Sequence, residues 1–169
     1  FLAVERDRRR VRDAVTRTWS DGDPAALEAV VAPAFRARLP TSLAELAGFL
    51  EGGPECAPAT LDADGYAAFV ATVHAAVTDL RFAVEETVAD GDRVALRWRA
   101  TGRHTGALAG VATAGPEVTL SGLRLDRLDD GRVVESWTLV EQWGLLRQLG
   151  VVDETEGVST TGRVAATPV

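Results

Sequence analysis

The residues whose types could do chemistry lie near the C-terminal end of the sequence, in the segment ESWTLVEQWGLLRQLG at positions 135–150. Glu135, Trp137, Leu139 and Glu141 alternate, so their side chains share one face if this segment is a β-strand. Large apolar rings exclude water, and desolvation raises the pKa of a nearby carboxyl group toward neutrality. A carboxyl group in such a setting can take up and return a proton. Glu141 is therefore a candidate general acid/base; the alternative is a solvated charge at the end of a strand.

Further apolar residues predict the wall of a binding pocket around this carboxylate. Trp98 alternates with Val94, Leu96 and Ala100 along another predicted strand, and Trp19 and Phe69 lie on predicted helices that could close the same space. The alternative for each ring is plain hydrophobic core. The predicted substrate-contacting residues are Trp19, Phe35, Tyr66, Phe69, Trp98, Ser121, Trp137, Leu139 and Trp143.

Two histidines complete the set of titratable candidates. His104 lies in GRHTG at the predicted end of a strand. Since histidine titrates near neutral pH, His104 is predicted to act as a proton shuttle at the mouth of the pocket, and the alternative is a polar turn residue. Tyr66 and Ser121 could assist as hydrogen-bond donors. His74 lies on the same helical stripe as Tyr66, which favours a packing role.

Several kinds of chemistry have no support in the sequence. Dinucleotide, P-loop, nucleophile-elbow and zinc-protease motifs are absent, so we expect neither a metal site nor a cofactor. The 18 basic residues are all Arg, and without Lys no Schiff base can form. Cys56, the single cysteine, lies in a Gly/Pro-rich stretch and is predicted to be an ordinary loop residue.

Charge and hydropathy narrow the class of partner. The net charge is −7 and the arginines are scattered among acids, which argues against nucleic acid and anionic membranes as partners. A signal-peptide core and an apolar run of membrane-spanning length are both missing from the sequence. These features predict a cytoplasmic protein. The predicted aromatic pocket favours a hydrophobic small molecule as the substrate.

The elements that must position these residues follow from hydrophobic periodicity. Helical spacing predicts a helix over 4–19, a second that starts at Asp23-Pro24 and ends near Pro33, and a third within 61–77. The period then changes to two, and Asp90-Gly91 and Asp130-Gly131 are strong hairpin signals. The predicted strands are 80–89, 93–102, 116–127 and 132–141.

Helices followed by an antiparallel meander predict an α+β fold in which a curved sheet wraps around N-terminal helices. Such a cone encloses an internal cavity, where the chemistry would lie. The length fits a single domain over 1–150, with a Pro/Gly-rich excursion at 39–58 as a possible lid. The tail at 151–169 loses periodicity, and we expect it to be mobile.

Four segments together resemble the SnoaL-like polyketide cyclases of the NTF2-like superfamily. They are TRTWSDGDPAALEAVVAPAF, GYAAFVATVHAAVTDLRFAVEE, VADGDRVALRWRATGRHTG and GLRLDRLDDGRVVESWTLVEQWGLLRQLG. The resemblance covers about residues 10–150 without the excursion. It implies the NTF2-like cone, and it implies that Glu141 occupies the position of the family's acid/base, an Asp four residues after the Trp. Glu in place of Asp reaches one methylene further, which favours a different substrate.

The resemblance implies a cofactor-independent cyclase that closes a ring in a polyketide or related natural-product intermediate by an intramolecular aldol reaction. One alternative is an epoxide-opening, isomerising or pericyclic enzyme of natural-product biosynthesis. Another is a non-catalytic small-molecule-binding domain. Members of the family commonly pair through the outer sheet face, where Arg97, Arg99 and Thr101 are predicted to point outward, so we expect a homodimer.

Overall fold

A computed structural model describes residues 2–39, 60–105, 107–108, 111–112 and 117–148. The predicted lid at 39–58 lies outside these residues except for Leu39. Cys56 and the predicted mobile tail lie outside them entirely. The described elements are helices that pack on one face of a curved, unclosed mixed sheet, and this confirms the predicted α+β cone.

The helices begin where the sequence offers caps. The Asp23 carboxylate accepts a hydrogen bond from the Ala25 N–H at 3.1 Å, with Pro24 as the first helical residue. The Asp62 carboxylate accepts one from the Gly65 N–H at 2.8 Å. The helices are α1 (Leu2–Ser20), α2 (Pro24–Glu28), α3 (Ala63–Ala76) and α4 (Gln142–Gln148).

Within the described residues the main sheet has the order β2-β1-β8-β7-β4-β3. The small strands β5 and β6 pair with each other. The strands are β1 (Val31–Arg38), β2 (Thr60–Leu61), β3 (Val77–Asp90), β4 (Arg93–His104), β5 (Ala107–Leu108), β6 (Val111–Ala112), β7 (Glu117–Asp129) and β8 (Arg132–Val140).

The sheet differs from the prediction at β1. The second helix ends at Glu28 instead of near Pro33, and the chain enters a strand at Val31 that was not predicted. Because β1 pairs in parallel with β8, the sheet is mixed and not purely antiparallel. The β-branched Val30 and Val31 are buried and favour a strand, and this tertiary packing overrides the helical pattern before them.

Both predicted Asp-Gly hairpins are present. Asp130 and Gly131 have φ of 46° and 71°, the left-handed conformations that a tight hairpin turn requires. Gly91 has φ of 55° in the turn between β3 and β4. These turns fix the register of β3 with β4 and of β7 with β8, and so decide which residues face the helices.

The core lies between the helices and the concave face of the sheet. Val11 and Val15 of α1 and Tyr66 and Val70 of α3 are almost fully buried there. On β4, Val94, Leu96 and Trp98 face inward, while Arg97 and Arg99 are exposed on the outer face, as predicted. None of the helices in the described ranges has the length and hydropathy of a bilayer-spanning segment.

Candidate functional site

Aromatic side chains meet in the core beneath the helices, and we call this group the aromatic interior. The Trp19 ring stacks on Phe82 at 6.0 Å between centroids, and Phe82 stacks on Trp98 at 5.2 Å. The Tyr66 ring makes edge contacts with Trp19 at 6.1 Å and with Phe35 at 6.2 Å. The group consists of Trp19, Phe35, Tyr66, Phe69, Phe82 and Trp98. The structure thus brings together the predicted residues Trp19, Phe35, Tyr66, Phe69 and Trp98.

A buried ion pair lies against this aromatic interior. Arg124 and Asp126 alternate on β7, with exposed fractions of 3% and 0%. The Arg124 Nε donates to both carboxylate oxygens of Asp126, at 2.9 and 3.0 Å. A charge that leaves water must be paired and hydrogen-bonded, and this geometry meets both conditions.

The ion pair is joined to the aromatic interior through one phenol oxygen. The Tyr66 Oη accepts a hydrogen bond from Arg124 Nη1 at 2.9 Å and another from Trp19 Nε1 at 3.0 Å. The Arg124 guanidinium carbon also lies 5.7 Å from the centre of the Tyr66 ring. We call Trp19, Tyr66, Arg124 and Asp126 the polar cluster.

The electrostatics of the polar cluster keep Arg124 charged. Burial on its own lowers the pKa of the guanidinium, because it disfavours the charged form. Attraction to Asp126 and Tyr66, together with the hydrogen bonds to both, outweighs burial, so the pKa of Arg124 is raised above its ordinary value. A permanent cation is therefore held inside an apolar, aromatic setting.

Some buried polar atoms of this region lack a hydrogen-bond partner among the described residues. They are Arg124 Nη2, Ser136 Oγ and Thr18 Oγ1. The Cα atom of Ser136 pairs with that of Asp126 on the neighbouring strand. Since unsatisfied buried donors are costly, such atoms are expected where a ligand or a bound water completes the site.

Glu141 lies at the end of β8 with an exposed side chain, not buried among rings as predicted. Its Oε1 accepts a hydrogen bond from the Gly144 N–H at 2.9 Å, so the carboxylate caps the first turn of α4. Its backbone N–H donates to the Ser121 carbonyl at 2.9 Å. The residue before it, Val140, packs against the core and pairs with Gly122, and the Trp98 ring lies against Gly122. Glu141 is thus one residue beyond the wall of the aromatic interior.

The predicted inward face of β8 is wrong, and a bulge explains the error. Arg127 pairs with Glu135 whereas Leu128 pairs with Val133, so β8 carries an extra residue at Val134. An extra residue reverses the alternation beyond it. Val133 and Ser136 are consequently both buried, at 1% exposure each.

The residues predicted on that face therefore lie outside the core. Leu139 is 65% exposed, and the Trp137 ring lies under the Arg38 guanidinium at 5.8 Å. Trp143 on α4 is 59% exposed. Ser121 pairs with the outward-facing Arg99 and is on the outer face as well. The structure does not bring these residues to the polar cluster.

His104 is buried and His74 is half-buried. His104, predicted at the mouth of the pocket, ends β4 opposite Val77 and is 1% exposed. The His74 Nε2 lies 2.9 Å from the carbonyl oxygen of Trp19, which fixes the end of α1 against α3 and agrees with the predicted packing role.

Sequence reasoning missed Arg124 and Asp126, although a signal for them exists. On β7 they share the alternating set of Val118, Leu120 and Leu128, which face the core. The opposite set carries Leu123 and Leu125, so both faces of β7 contain apolar residues in the sequence. The charged residues Arg124 and Asp126 are then easily assigned to the face that contacts solvent.

A shallow groove of about 340 Å³ lies elsewhere, between α1 and α2. Arg10, Asp13, Arg17 and Asp23 line it together with small apolar residues. The Arg17 guanidinium donates to Asp23 at 2.7 Å, and Arg10 and Asp13 pair with Asp7 and Arg12, so each of these charges already has a partner. This groove lacks the aromatic rings and buried charge of the polar cluster.

Solved structures share this architecture. AclR of Streptomyces galilaeus, a proposed hydroxylase, has 22% identity and a TM-score of 0.70, over 89% of this chain and 99% of its own. IdmH of Streptomyces antibioticus, a proposed polyketide cyclase, has 28% identity and a TM-score of 0.66, over 82% and 94%. A protein of Catenulispora acidiphila with a ketosteroid isomerase-like fold, solved with trimethylamine, has 16% identity and a TM-score of 0.60, over 82% and 90%.

No curated protein matches the sequence. Residues 54–149, more than half of the chain, match the SnoaL-like polyketide cyclase family. This match spans α3, the strands β3 to β8 and the polar cluster's Tyr66, Arg124 and Asp126. The chain belongs to the SnoaL-like polyketide cyclase family.

Proposed function

We propose that this protein is an enzyme that closes a ring in a polyketide or related hydrophobic intermediate, by an intramolecular aldol-type reaction without a cofactor. The observation that carries the proposal is the buried Arg124–Asp126 pair set against the aromatic interior. A buried charge pair beside apolar, aromatic surfaces is a candidate for a functional site. Membership of a family of polyketide cyclases supports the same class of substrate.

The reaction needs one proton to leave and one to arrive. A base removes a proton from a carbon next to a carbonyl group, and the resulting enolate carbon attacks a second carbonyl carbon of the same molecule. A carbon–carbon bond forms, and the attacked carbonyl oxygen becomes an alkoxide that takes a proton. The same carboxyl group can perform both transfers.

Glu141 is the carboxylate that we propose for this role. Asp126 is buried behind two hydrogen bonds from Arg124, whereas Glu141 is held by the Gly144 N–H and is accessible. We propose that a bound substrate covers the Glu141 carboxylate and excludes water from it, which strengthens it as a base.

The test is ring closure of synthetic linear polyketone thioesters, measured by mass spectrometry against the spontaneous rate. Glu141→Gln should lower the protein-dependent rate by about 10²–10⁴-fold, the contribution typical of a general base. Gln still offers an oxygen to the Gly144 N–H, so α4 keeps its cap. Glu117→Gln, an exposed acid on β7, is the matched control and should retain the wild-type rate. Wild-type rates in Glu141→Gln would remove Glu141 from the mechanism.

A second candidate function, non-catalytic binding of a small molecule, is favoured by the exposure of Glu141. It predicts that the wild-type protein binds planar ketones but leaves their ring closure at the spontaneous rate. If the wild-type protein accelerates ring closure, and Glu141→Gln abolishes this acceleration while Glu117→Gln keeps it, non-catalytic binding is excluded.

A further inference from the structure

Two hydrogen-bond donors of the polar cluster remain available. Arg124 Nη2 is buried and has no partner among the residues that the structure describes. The Tyr66 oxygen uses both of its recorded hydrogen bonds as an acceptor, from Arg124 Nη1 and Trp19 Nε1. A phenol has two lone pairs and one proton, so the Tyr66 O–H is left as a donor.

The two donors lie close together on a fixed frame. The guanidinium is planar and holds its N–H groups in a rigid fork, so Nη2 lies in one plane with the Nη1 that reaches Tyr66. Asp126 fixes the other end of this plane through Nε. The half-buried Trp19 and Phe69 flank Tyr66, so the donors border the aromatic interior.

The chemistry of the donors selects the ligand atom. Both offer hydrogens, and the nearest carboxylate already balances the Arg124 charge, so a second anion with full charge is not required. An oxygen acceptor on a flat apolar molecule satisfies the donors and the rings together. A hydrogen bond to a charged donor strengthens as negative charge grows on the oxygen.

We propose that Arg124 Nη2 and the Tyr66 hydroxyl bind a carbonyl oxygen of the substrate and stabilise the negative charge that it gains when the enolate forms. This inference rests on the proposed ring closure and adds an oxyanion site to it. Asp126 is a positioning residue, because it acts only through Arg124. Fixed donors of this kind in a water-excluded site make a large contribution to catalysis.

Equilibrium binding of two probes tests the site without turnover. 2-Naphthol carries a hydroxyl oxygen, and 2-methylnaphthalene replaces that group by a methyl of similar size. Titrations followed by NMR of the tryptophan indole N–H signals give both dissociation constants. Trp19 reports directly, because its indole N–H donates to Tyr66. The wild type should bind 2-naphthol at least about tenfold more tightly, the lower bound for a hydrogen bond to a charged group.

Two variants separate the site from the fold. Tyr66→Phe removes the hydroxyl, and Arg124→Met/Asp126→Leu removes both charges together, so that no buried charge is left unpaired. Each should abolish most of the tenfold preference while 2-methylnaphthalene binds as before. Arg97→Met, on the outer face and paired with Glu85, is the control and should keep the preference.

The outcomes distinguish this inference from the proposed function. Equal binding of the two probes by the wild type overturns the oxyanion site, and a tightly held water at Nη2 would give this result. A preference for 2-naphthol that survives in both cluster variants overturns the site as well. A preference lost in both variants supports the site even if the polyketone assay shows no turnover. Turnover with no preference leaves the proposed function standing and removes the oxyanion site.

Discussion

Arg124 holds a permanent charge where water is excluded, and this residue organises the site. Its three nitrogens differ in their hydrogen bonds: Nε donates to Asp126, Nη1 donates to Tyr66, and Nη2 has no partner among the described residues. Lysine could not divide its donors in this planar way. The chemistry proposed for the interior therefore depends on one guanidinium and on the carboxylate that balances it.

Removing Arg124 alone should be costly for stability. Arg124→Met leaves Asp126 buried without its cation, and the expected loss in the free energy of unfolding is about 3–5 kcal/mol. The double variant Arg124→Met/Asp126→Leu should lose clearly less free energy of unfolding, because it leaves no unpaired charge in the core. Urea unfolding at neutral pH measures both. Equal losses in the two variants would mean that the ion pair is not a coupled unit.

Glu5 on α1 makes a pH-dependent contribution to the stability of the fold, and it takes no part in the candidate site. Hydrogen bonds from Arg8 and then Arg9 lower its pKa from an ordinary 4.5 to about 2. A lowered pKa stabilises the fold above pH 4.5, and this contribution is lost as the pH falls toward 2. The effect on stability should be small, since Glu5 and both arginines lie at the protein surface, where solvent screens the charges.

An NMR titration of the Glu5 carboxyl carbon measures this directly. The midpoint should lie near pH 2 in the wild type and move toward 4.5 in Arg8→Gln. A wild-type midpoint near 4.5 would show that the arginines do not hold Glu5 in solution.

At the scale of elements, β7 and β8 decide what the site contains. The extra residue at Val134 turns Ser136 inward and leaves Trp137 and Leu139 on the outer face. Gly122 on β7 leaves room for neighbouring groups, because a side chain there would collide with the Trp98 indole and the Leu139 carbonyl. A glycine at this point lets the Trp98 indole approach the β7 backbone closely.

Gly122→Ala should therefore displace Trp98. Forcing a methyl group into a packed contact costs about 1–3 kcal/mol, which lowers the urea midpoint and shifts the Trp98 indole N–H signal. Ser121→Ala, the adjacent outward position, is the control and should stay within about 0.5 kcal/mol of the wild type. An unchanged Trp98 signal in Gly122→Ala would contradict the packing described here.

These elements show what could be predicted from the sequence. Period-two alternation and the two Asp-Gly turns were sufficient for the long strands β3, β4, β7 and β8 and for their hairpins, because both signals are local. The strand β1 was not predicted from them. The inward face of β8 was not predictable, since a bulge depends on the partner strand. The same holds for Arg124 and Asp126, whose burial follows from β7 lying at the centre of the sheet between β4 and β8.

At the scale of the whole molecule, the outer face of the sheet carries an apolar patch. Leu123 and Leu139 pair across β7 and β8, and with Leu125 they are between 40% and 65% exposed. We call these three residues the outer leucine patch. Around it lie paired charges such as Arg97 with Glu85 and Arg38 with Glu135. An apolar centre within a charged rim is typical of an interface between protein chains.

We propose that a second copy of this chain covers the outer leucine patch, which agrees with the homodimer expected from the sequence. Leu139→Arg places a charge at the centre of the patch and should convert the dimer to a monomer. Leu2→Arg, which changes an exposed leucine of α1, should leave the dimer intact. Light scattering at micromolar concentration measures the mass of each. A monomeric wild type would contradict the proposal.

We propose above all that the substrate binds and reacts in the aromatic interior beside the polar cluster. A crystal structure of the protein with a polycyclic hydroxyketone, the product class of polyketide ring closure, tests this placement. We expect the ligand rings to lie against the half-buried Trp19 and Phe69, which flank Tyr66, with a ketone or hydroxyl oxygen about 3 Å from Arg124 Nη2. A ligand bound in the groove between α1 and α2, or on the outer leucine patch with the interior unchanged, would contradict it.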